Sequence, residues 1–246
     1  MVPPTPSAVA VPTVAVILPI LNEAAHLDDV LSTLLELQNF DEIIVVDGGS
    51  TDTSVEIVCK FMSSDEPDSQ PVPILIQSSR GRALQMHAGA QAAEADVLLF
   101  LHADSTPPPG AADDIRDAIS QGHFWGRFDV RLSGRHFLFR IIERLMNWRS
   151  RLTGIASGDQ GIFVRRDVYR LVGGFAPLEL MEDIEFCSRL KWFSKPACLP
   201  GPLAISSRRW EQNGIVRTIF LMWTLRLLYW LGVSPARLAR RYYPSL

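Results

Sequence analysis

The chain has 246 residues, of which 47% are hydrophobic and 21% charged, and its formal net charge is −3. This composition excludes a disordered, collagen-like or disulfide-dense protein, and the length fits one α/β core or a core with one appended subdomain. The small negative charge gives no general attraction to nucleic acid, so no nucleic-acid partner is expected. The segment from Arg208 to the C-terminus is rich in arginine and contains one acid, Glu211, so an anionic partner is expected near that end.

The cysteines and the first residues indicate a cellular compartment. Cys59, Cys187 and Cys198 form no C-x-x-C pair and have no histidine at metal-ligand spacing, so neither a zinc site nor a disulfide framework is indicated. A reducing, cytoplasmic compartment is favoured. Residues 1–12 contain several prolines and no basic segment, and we interpret them as a flexible tail and not as a secretory signal.

Short apolar runs alternate with helical patterns through the first half of the chain. The predicted strands are 13–18, 43–46, 72–76 and 97–101, and the predicted helices are 27–35, 51–62 and 83–93. Continuously apolar strands that alternate with helices indicate a parallel sheet covered on both faces, with ligand-binding loops at the carboxyl ends of the strands. After Pro109 the regular alternation ends, and a helix at 111–120, a strand at 125–132 and a helix at 135–152 predict a mixed second half.

Two loops at the predicted sheet edge carry carboxylates. Pro19 and Glu23 belong to the sequence PILNE after the first strand, and Asp47 begins DGGSTDTS after the second. Two carboxylates on adjacent loops can hold a ribose and a base, whereas an ordinary capped turn with Ser50 or Thr51 at the helix N-terminus is the alternative. The phosphate-binding patterns G-x-G-x-x-G and G-x-x-x-x-G-K-[ST] are both absent, so phosphates must be bound in another way.

Further loops carry cationic and metal-binding candidates. Arg80 and Arg82 flank a glycine before a predicted helix, where they can bind an anion, although two solvated arginines are the alternative. Asp104 follows the buried run VLLFL, where a carboxylate is costly unless it binds a metal or makes hydrogen bonds. With His102 two residues before it, Asp104 can share a divalent cation with a diphosphate.

The second half of the chain contains an acidic pair and an arginine pair. Glu182 and Asp183 lie at a predicted helix start, where acids often only interact with the helix dipole, but one of them can take a proton from an acceptor hydroxyl. Arg208 and Arg209 follow a short apolar run and can stabilise a departing diphosphate.

Seven motifs occur in order between residues 19 and 186: PILNE, VVDGGSTD, RGRALQ, LFLHAD, GDQGIFVRRDVY, GGF and MEDIEF. Together they resemble the family 2 glycosyltransferases, which have the A-type nucleotide-sugar-binding fold, over residues 13 to about 210. The chain is most similar to a small bacterial branch with HAD in place of D-x-D, some relatives of which act on lipid or carotenoid acceptors. The resemblance implies a Rossmann-like α/β fold with a mostly parallel sheet and helices on both faces.

The same resemblance implies a role for individual residues. It places Pro19, Glu23 and Asp47 in the nucleoside pocket, Arg80 or Arg82 at the donor's phosphates or base, Asp104 at the metal, Gly158, Asp159 and Gln160 on the acceptor side, and Asp183 as the catalytic base with Glu182 next. Two positions depart from the family pattern. His102 replaces the first carboxylate of D-x-D, and imidazole suits Mn²⁺ better than Mg²⁺, while His87 stands where many relatives carry asparagine.

These features predict an inverting, metal-assisted transferase that uses a nucleoside diphosphate sugar, with a UDP-sugar favoured and Mn²⁺ or Mg²⁺ as cofactor. The acceptor is expected to be a hydroxyl, with a lipid or isoprenoid among the candidates. A sugar-phosphate nucleotidyltransferase is the alternative enzyme, although PILNE replaces the glycine-rich basic loop that such enzymes usually need after the first strand. A non-catalytic protein that binds nucleotide sugars is the third possibility, and the intact Glu182 and Asp183 argue against it.

The expected organisation is a tail at 1–12, a glycosyltransferase domain at 13–210 and a C-terminal amphipathic helical extension at 211–246. Within the domain, 13–109 is the nucleotide-binding half and 110–210 the acceptor and catalytic half. In the extension, an apolar stripe recurs at helical spacing, formed by Ile219, Phe220, Trp223, Leu227 and Trp230. The pattern predicts peripheral contact with the inner face of the cell membrane, and packing on the core or a homodimer interface explains it equally well.

Overall fold

Strands and helices alternate through the first half of the chain. The structure is a computed structural model that describes residues 11–37, 39–63 and 71–242, and the side chain of Arg209 lies outside this description. The first elements are β1 Val14–Ile20, α1 Ala24–Leu37, β2 Glu42–Asp47, α2 Ser54–Met62, β3 Ile74–Gln77, α3 Arg82–Ala92 and β4 Val97–Phe100. They confirm the predicted alternation, while residues 1–10 of the predicted tail lie outside the described residues.

The second half mixes strands that run in both directions with helices. Its elements are β5 Ser105–Thr106, α4 Ala111–Ser120, β6 Trp125–Leu132, α5 Phe137–Thr153, β7 Ile162–Arg165, α6 Arg166–Leu171, α7 Glu182–Leu190 and β8 Ala197–Ile205, followed by α8 Arg208–Asn213, α9 Ile215–Trp230 and α10 Pro235–Tyr242. A short 3-10 turn at Gly158–Gln160 precedes β7. The predicted boundary at residue 210 therefore lies inside α8.

One sheet runs through both halves, in the order β3-β2-β1-β4-β7-β6-β8-β5. In its first half, Ile17 of β1 pairs with Ile44 of β2 and Phe100 of β4, in parallel register. Strand β7 lies between β4 and β6 and runs antiparallel to both. Among the described strands, four pairings are parallel and three antiparallel, which agrees with the predicted mostly parallel sheet.

The two faces of the sheet bury separate apolar clusters. Because neighbouring strand residues point to opposite faces, Val16 and Leu18 join the cluster that contains Leu31 of α1. Ile17 joins the cluster that contains Met86 of α3. Helices thus cover both faces, as the apolar strands predict.

Helix α3 lies unusually close to β1 and β2. A Cβ atom at Gly89 would be 2.5 Å from Ile17 Cγ2, so this position admits only glycine without a shift of the helix or the strand. One turn earlier, Gln85 Nε2 donates hydrogen bonds to the carbonyl oxygens of Ile20 and Val46, at 2.7 and 2.8 Å. The helix therefore fixes the carboxyl ends of two neighbouring strands.

The start of α2 differs from the prediction. The expected N-terminal residues Ser50 and Thr51 remain in the loop, and the helix begins at Ser54. The reason is a side chain on another loop, because Asn22 Oδ1 accepts hydrogen bonds from the backbone N–H groups of Thr51 and Asp52. These bonds compete with the first turn of a helix.

The C-terminal helices pack on the segment that precedes α7. Leu225 of α9 and Leu238 of α10 form a buried cluster with Met181. The opposite side of α9 is exposed, and Phe220, Trp223, Leu227 and Trp230 are 66%, 62%, 56% and 81% accessible. One side of the helix therefore packs on the core, as one of the two interpretations predicts, and the apolar stripe, apart from Ile219, is exposed. Within the described residues, every helix is too short or too polar to cross a membrane.

Candidate active site

The loops after β1, β2 and β4 meet at one edge of the sheet because these strands are parallel neighbours. Asp47 at the end of β2 is 2% exposed, and its carboxylate accepts hydrogen bonds from the N–H groups of Gly49 and Ser50, both at 3.0 Å. Asn22, in the loop after β1, adopts a left-handed backbone conformation with φ of 56°. Its amide oxygen connects the two loops, so hydrogen bonds from side chain to backbone fix the shape of this edge.

Glu23 lies at this edge in a partly buried position. Burial raises the pKa of its carboxyl group, and the nearby Asp104 carboxylate raises it further, while Arg208 and His26 act in the opposite direction. Arg208 Nη1 is 2.6 Å from His26 Nε2, which brings the start of α8 close to α1. The sequence pattern gave no reason to connect His26 with this site.

Arg82 connects the sheet edge to the acidic pair. Its Nη2 atom is 3.0 Å from His102 Nδ1, and its Nε atom is 3.5 Å from Glu182 Oε1. Glu182 is buried, which raises its pKa, although the charge of Arg82 opposes the increase. Arg80, in contrast, is exposed and lies outside the set of residues that line the cavity described below.

His102 faces the 3-10 turn. Its Nδ1 atom is 3.2 Å from Asp159 Oδ1, whereas its Nε2 atom is buried and has no hydrogen-bond partner among the described residues. Burial alone would raise the pKa of Asp159, but the hydrogen bond and charge of His102, with Arg82, hold it well below its usual range. A Cβ atom at Gly158 would be 2.8 Å from His102 Nε2, so glycine allows the turn to approach the ring.

Asp183 lies at the start of α7 with its carboxylate fixed in orientation. Its Oδ2 atom accepts a hydrogen bond of 2.7 Å from the N–H group of Gly158. Its Oδ1 atom accepts from the N–H group of Ile184 at 2.8 Å. The preceding Met181 has a φ of 67°, a left-handed conformation that is uncommon for a residue other than glycine and turns the chain sharply into the helix.

A cavity of about 510 Å³ joins these groups to the C-terminal helices. Its polar end contains candidate residues from the sequence, namely Arg82, His102, Asp104, Gly158, Asp159, Glu182 and Asp183. Much of the remaining wall comes from α5 and α9 and is mostly apolar, with Leu145, Met146, Trp148, Ile219, Met222 and Trp223. Two further arginines, Arg149 and Arg226, line the same space and were missed in the sequence, because nothing in the local pattern relates α5 to α9.

Other predicted residues lie beside or away from this cavity. Pro19, Glu23, Asp47 and Arg208 are at the sheet edge and outside the cavity lining. Gln160 is buried, and its side chain bonds Ser157 and Ser150. Arg209 is within α8, and its side chain lies outside the described part of the chain.

The predicted metal ligands Asp104 and His102 do not form a complete site by themselves, because His102 Nδ1 already contacts Arg82 and Asp159. Among the described residues, no three histidine, cysteine, aspartate or glutamate side chains are grouped closely enough to hold a metal ion. Asp104 lines the cavity and is half-buried, and none of the described residues gives its carboxylate a hydrogen bond or an ion pair. One open carboxylate fits a cation whose other ligands are phosphate oxygens and water, as is usual for Mg²⁺.

Part of the chain is similar in sequence to curated proteins of one description. The curated relatives include the undecaprenyl-phosphate 4-deoxy-4-formamido-L-arabinose transferase of Salmonella choleraesuis (strain SC-B67), which is 31% identical over 171 residues that cover 64% of this chain and 49% of the relative. The enzyme of the same description from Yersinia pestis bv. Antiqua (strain Angola) is 29% identical over 162 residues, covering 62% of this chain and 47% of the relative. The chain thus spans about half the length of the curated relatives it matches.

Solved structures share the fold at low identity. Staphylococcus aureus TarS 1-349 in complex with UDP-GlcNAc superposes with a TM-score of 0.62 at 17% identity, covering 79% of this chain and 58% of that chain. The mannosyltransferase PcManGT from Pyrobaculum calidifontis, in complex with GDP-Man and Mn²⁺, gives 0.59 at 21% identity, covering 79% and 56%. These likenesses confirm the predicted A-type fold. The family model described as "Glycosyl transferase family 2" matches residues 15–172, well over half of the sequence. The chain therefore belongs to that family.

Proposed function

We propose that the chain is an inverting glycosyltransferase that moves a sugar from a nucleoside diphosphate sugar, with a UDP-sugar favoured, to the hydroxyl of a lipid or isoprenoid acceptor. The proposal depends most on Asp183, whose carboxylate is held by the Gly158 N–H group on the wall of a cavity that joins a polar end to apolar helix walls. UDP-GlcNAc in the TarS complex and the undecaprenyl-phosphate transferases among the relatives support the donor and acceptor classes.

On the donor side, we assign the nucleoside to the sheet edge. Glu23 and Asp47 lie on the neighbouring loops at the carboxyl ends of β1 and β2, where ligands bind in open α/β sheets. Arg82 lies between this edge and Glu182, within reach of a diphosphate placed beside Asp104. Arg208 and Arg209 begin α8 on the same side and are assigned to the leaving diphosphate.

The open carboxylate of Asp104 is the residue that would hold Mn²⁺ or Mg²⁺ together with donor phosphate oxygens. When bound, the cation neutralises charge that develops on the departing diphosphate. His102 has a different task, because its Nδ1 atom already contacts Arg82 and Asp159. We assign it to positioning these two residues at the cavity wall.

The chemical step needs one base. Asp183 accepts the proton of the acceptor hydroxyl while that oxygen bonds to the anomeric carbon, from the face opposite the diphosphate. The bond from the anomeric carbon to the diphosphate oxygen breaks, and the electron pair leaves with the diphosphate. Because both oxygens of Asp183 accept backbone N–H groups, the carboxylate is oriented before substrate binds.

We further propose that the protein works in the cytoplasm and binds the inner face of the cell membrane with the exposed sides of α5 and α9. Apolar side chains at helical spacing are exposed on α5 as well as on α9, with Phe137, Ile141, Leu145, Trp148 and Leu152 at 47% to 67%. Leu145 and Trp148 also line the cavity, so its apolar walls reach this surface. Arg144 and Arg217 on the same helices are exposed and can contact anionic lipid.

Co-sedimentation with phosphatidylcholine vesicles that contain phosphatidylglycerol tests this placement. The double substitution Phe220→Ser and Trp230→Ser should lower binding on the order of tenfold, because two exposed apolar contacts are lost. Trp192→Ser is the matched control, since Trp192 is 90% exposed and follows α7, outside helices α5 and α9. If the folded wild type does not bind the vesicles at low salt, the membrane placement is wrong. The exposed side of α9 would then be a contact between subunits, which analytical ultracentrifugation would detect.

A donor panel tests the function itself. UDP-, GDP- and dTDP-sugars are compared by thermal shift with and without Mn²⁺, since any ligand of the native state raises the melting temperature. One nucleotide class should stabilise the protein, and release of that nucleoside diphosphate should accelerate when a lipid extract is added as acceptor. A folded protein that none of these donors stabilises would contradict the proposal.

A further inference from the structure

Two arginines on different helices face the same cavity. Arg149 belongs to α5 and Arg226 to α9, and both line the space that contains Asp183. The guanidinium of Arg149 donates one hydrogen bond, from Nη1 to the carbonyl oxygen of Ile155 at 3.2 Å. Its Nε and Nη2 atoms are buried and have no hydrogen-bond partner among the described residues.

Arg226 is similarly short of partners. It is partly buried, and no described residue forms a hydrogen bond or an ion pair with it. Burial lowers the pKa of Arg149 to about 10, and repulsion between its charge and that of Arg226 contributes to this decrease. Arg149 nevertheless stays protonated at neutral pH. Asp183 and Asp159 exert a longer-range attraction on them. Buried guanidinium donors that lack acceptors are costly, and a bound anion removes that cost.

The surroundings of the two arginines define the rest of the ligand. The walls of the same cavity carry Leu145, Trp148, Met222 and Trp223, which offer dispersion contacts and no charge. A free inorganic ion would leave these walls uncovered. A ligand with an anionic head and an apolar chain would satisfy both the donors and the walls.

We propose that Arg149 and Arg226 bind the oxyanion head of an anionic amphiphile, a phosphate monoester or a carboxylate, whose chain lies between α5 and α9. This inference rests on the proposed function, because the amphiphile is taken to be the acceptor whose oxygen reaches Asp183. Planar guanidinium groups suit phosphate and carboxylate alike, since each presents two oxygens to the paired N–H groups. The acceptor class is thereby narrowed to lipids that carry a negative group near the accepting oxygen.

Calorimetry with short soluble probes tests the site without turnover. Octyl phosphate and octanoate separate the two anion types, octanol tests the chain alone, and inorganic phosphate tests the charge alone. At least one octyl anion should bind more tightly than both octanol and inorganic phosphate. Arg226→Gln should weaken that binding by about 10- to 100-fold, the range for a hydrogen bond to a charged group. Arg170→Gln, at an exposed position of α6 outside the cavity lining, should leave it unchanged.

Arg149→Gln should weaken binding of the octyl anion in the same way. Arg149→Lys, which keeps the charge with fewer donors, covers the case in which the glutamine variant does not fold.

UDP binding measured in parallel keeps the two proposals separate. Equal binding of octyl anions and octanol, or unchanged octyl anion binding by Arg226→Gln, would overturn this site while the donor function stands. Loss of UDP binding in Arg226→Gln would assign the arginine to the donor instead and also overturn it. A wild type that binds octyl anions but no nucleotide would refute the proposed function.

Discussion

The sheet edge and the neighbouring cavity between α5 and α9 are built from different interactions. At the sheet edge, Asp47, Asn22 and Gln85 bind backbone groups of their own or neighbouring loops, so polar side chains fix the shape of the donor side. Between α5 and α9, apolar side chains form the walls, and Arg149 has donors without acceptors. Hydrogen-bonded loops give one preformed shape, whereas apolar walls accept ligands of varied length. The donor side is therefore expected to be selective and the helix side adaptable.

The largest effect, on turnover, is expected from substitution of Asp183, which lines the cavity. Asp183→Asn keeps the shape of the side chain but removes its ability to accept a proton, so turnover should fall by about 10²- to 10⁴-fold. Affinity for the nucleoside diphosphate should change little. Glu179→Gln is the control, because Glu179 is exposed and outside the cavity lining. Wild-type turnover in Asp183→Asn, measured by nucleotide release, would shift the base to another group, with Glu182 next.

On the donor side, Asp104→Ala should abolish the dependence of nucleotide binding on a divalent cation. The wild type should bind UDP roughly tenfold or more tightly with Mn²⁺, a difference of about 1.4 kcal/mol or more, because the shared cation offsets repulsion between carboxylate and diphosphate. Asp117→Ala, at an exposed position on α4, should keep the cation dependence. Calorimetry that finds equal, cation-independent binding in wild type and Asp104→Ala would remove the metal from the mechanism.

The rigidity of the donor side can be tested through α3. Gly89→Ala places a Cβ atom 2.5 Å from Ile17 Cγ2, and overpacking of this kind typically lowers the free energy of unfolding by about 1–3 kcal/mol. Urea denaturation measures the change. Gln91→Ala on the exposed side of the same helix should stay within about 0.5 kcal/mol of wild type. If both variants are equally stable, α3 can shift and the donor edge is less fixed than the hydrogen bonds indicate.

The smallest effect concerns Glu23 and pH. Its folded-state pKa is raised above the unfolded value, chiefly by burial and then by Asp104, so the folded protein holds this proton more tightly. The wild type should therefore lose stability relative to Glu23→Gln as pH rises from about 4.5, the ordinary pKa of a glutamate side chain, through the folded-state pKa. Because the residue is partly exposed, we expect less than about 1 kcal/mol. A pH-independent difference in urea midpoints between the two proteins would contradict the shift.

Local patterns predicted most of the fold. The strand at 125–132 coincides with β6, and the apolar stripe from Ile219 to Trp230 lies within α9, because runs and helical spacing of apolar residues are visible in the sequence itself. Strand β3 begins at Ile74, after Pro73, and not at residue 72, since proline cannot donate to the ladder. The predicted start of α2 was wrong because the side chain that binds the Thr51 N–H group, Asn22, is distant in sequence.

The candidate site was predictable at the sheet edge and unpredictable between the helices. Glu182, Asp183 and Asp104 lie in short motifs next to strand or helix ends, and the structure brings all three near one cavity. Arg149 and Arg226 are far apart in the sequence, and each lies in a helix with other arginines. Only the folded structure, in which α5 and α9 line one cavity, distinguishes them from solvated residues.

Met181, in its left-handed conformation, links the C-terminal helices to the start of α7. Its conformation costs about 1–2 kcal/mol for a side chain with a Cβ atom, and its burial against Leu225 and Leu238 holds it there. A chain shortened after Asn213 loses this packing, so the backbone two residues before Asp183 is free to relax. Deletion of α9 is therefore expected to remove the proposed membrane contact and the orientation of Asp183, the proposed base, together. Substitutions on the exposed surface are needed to separate the two.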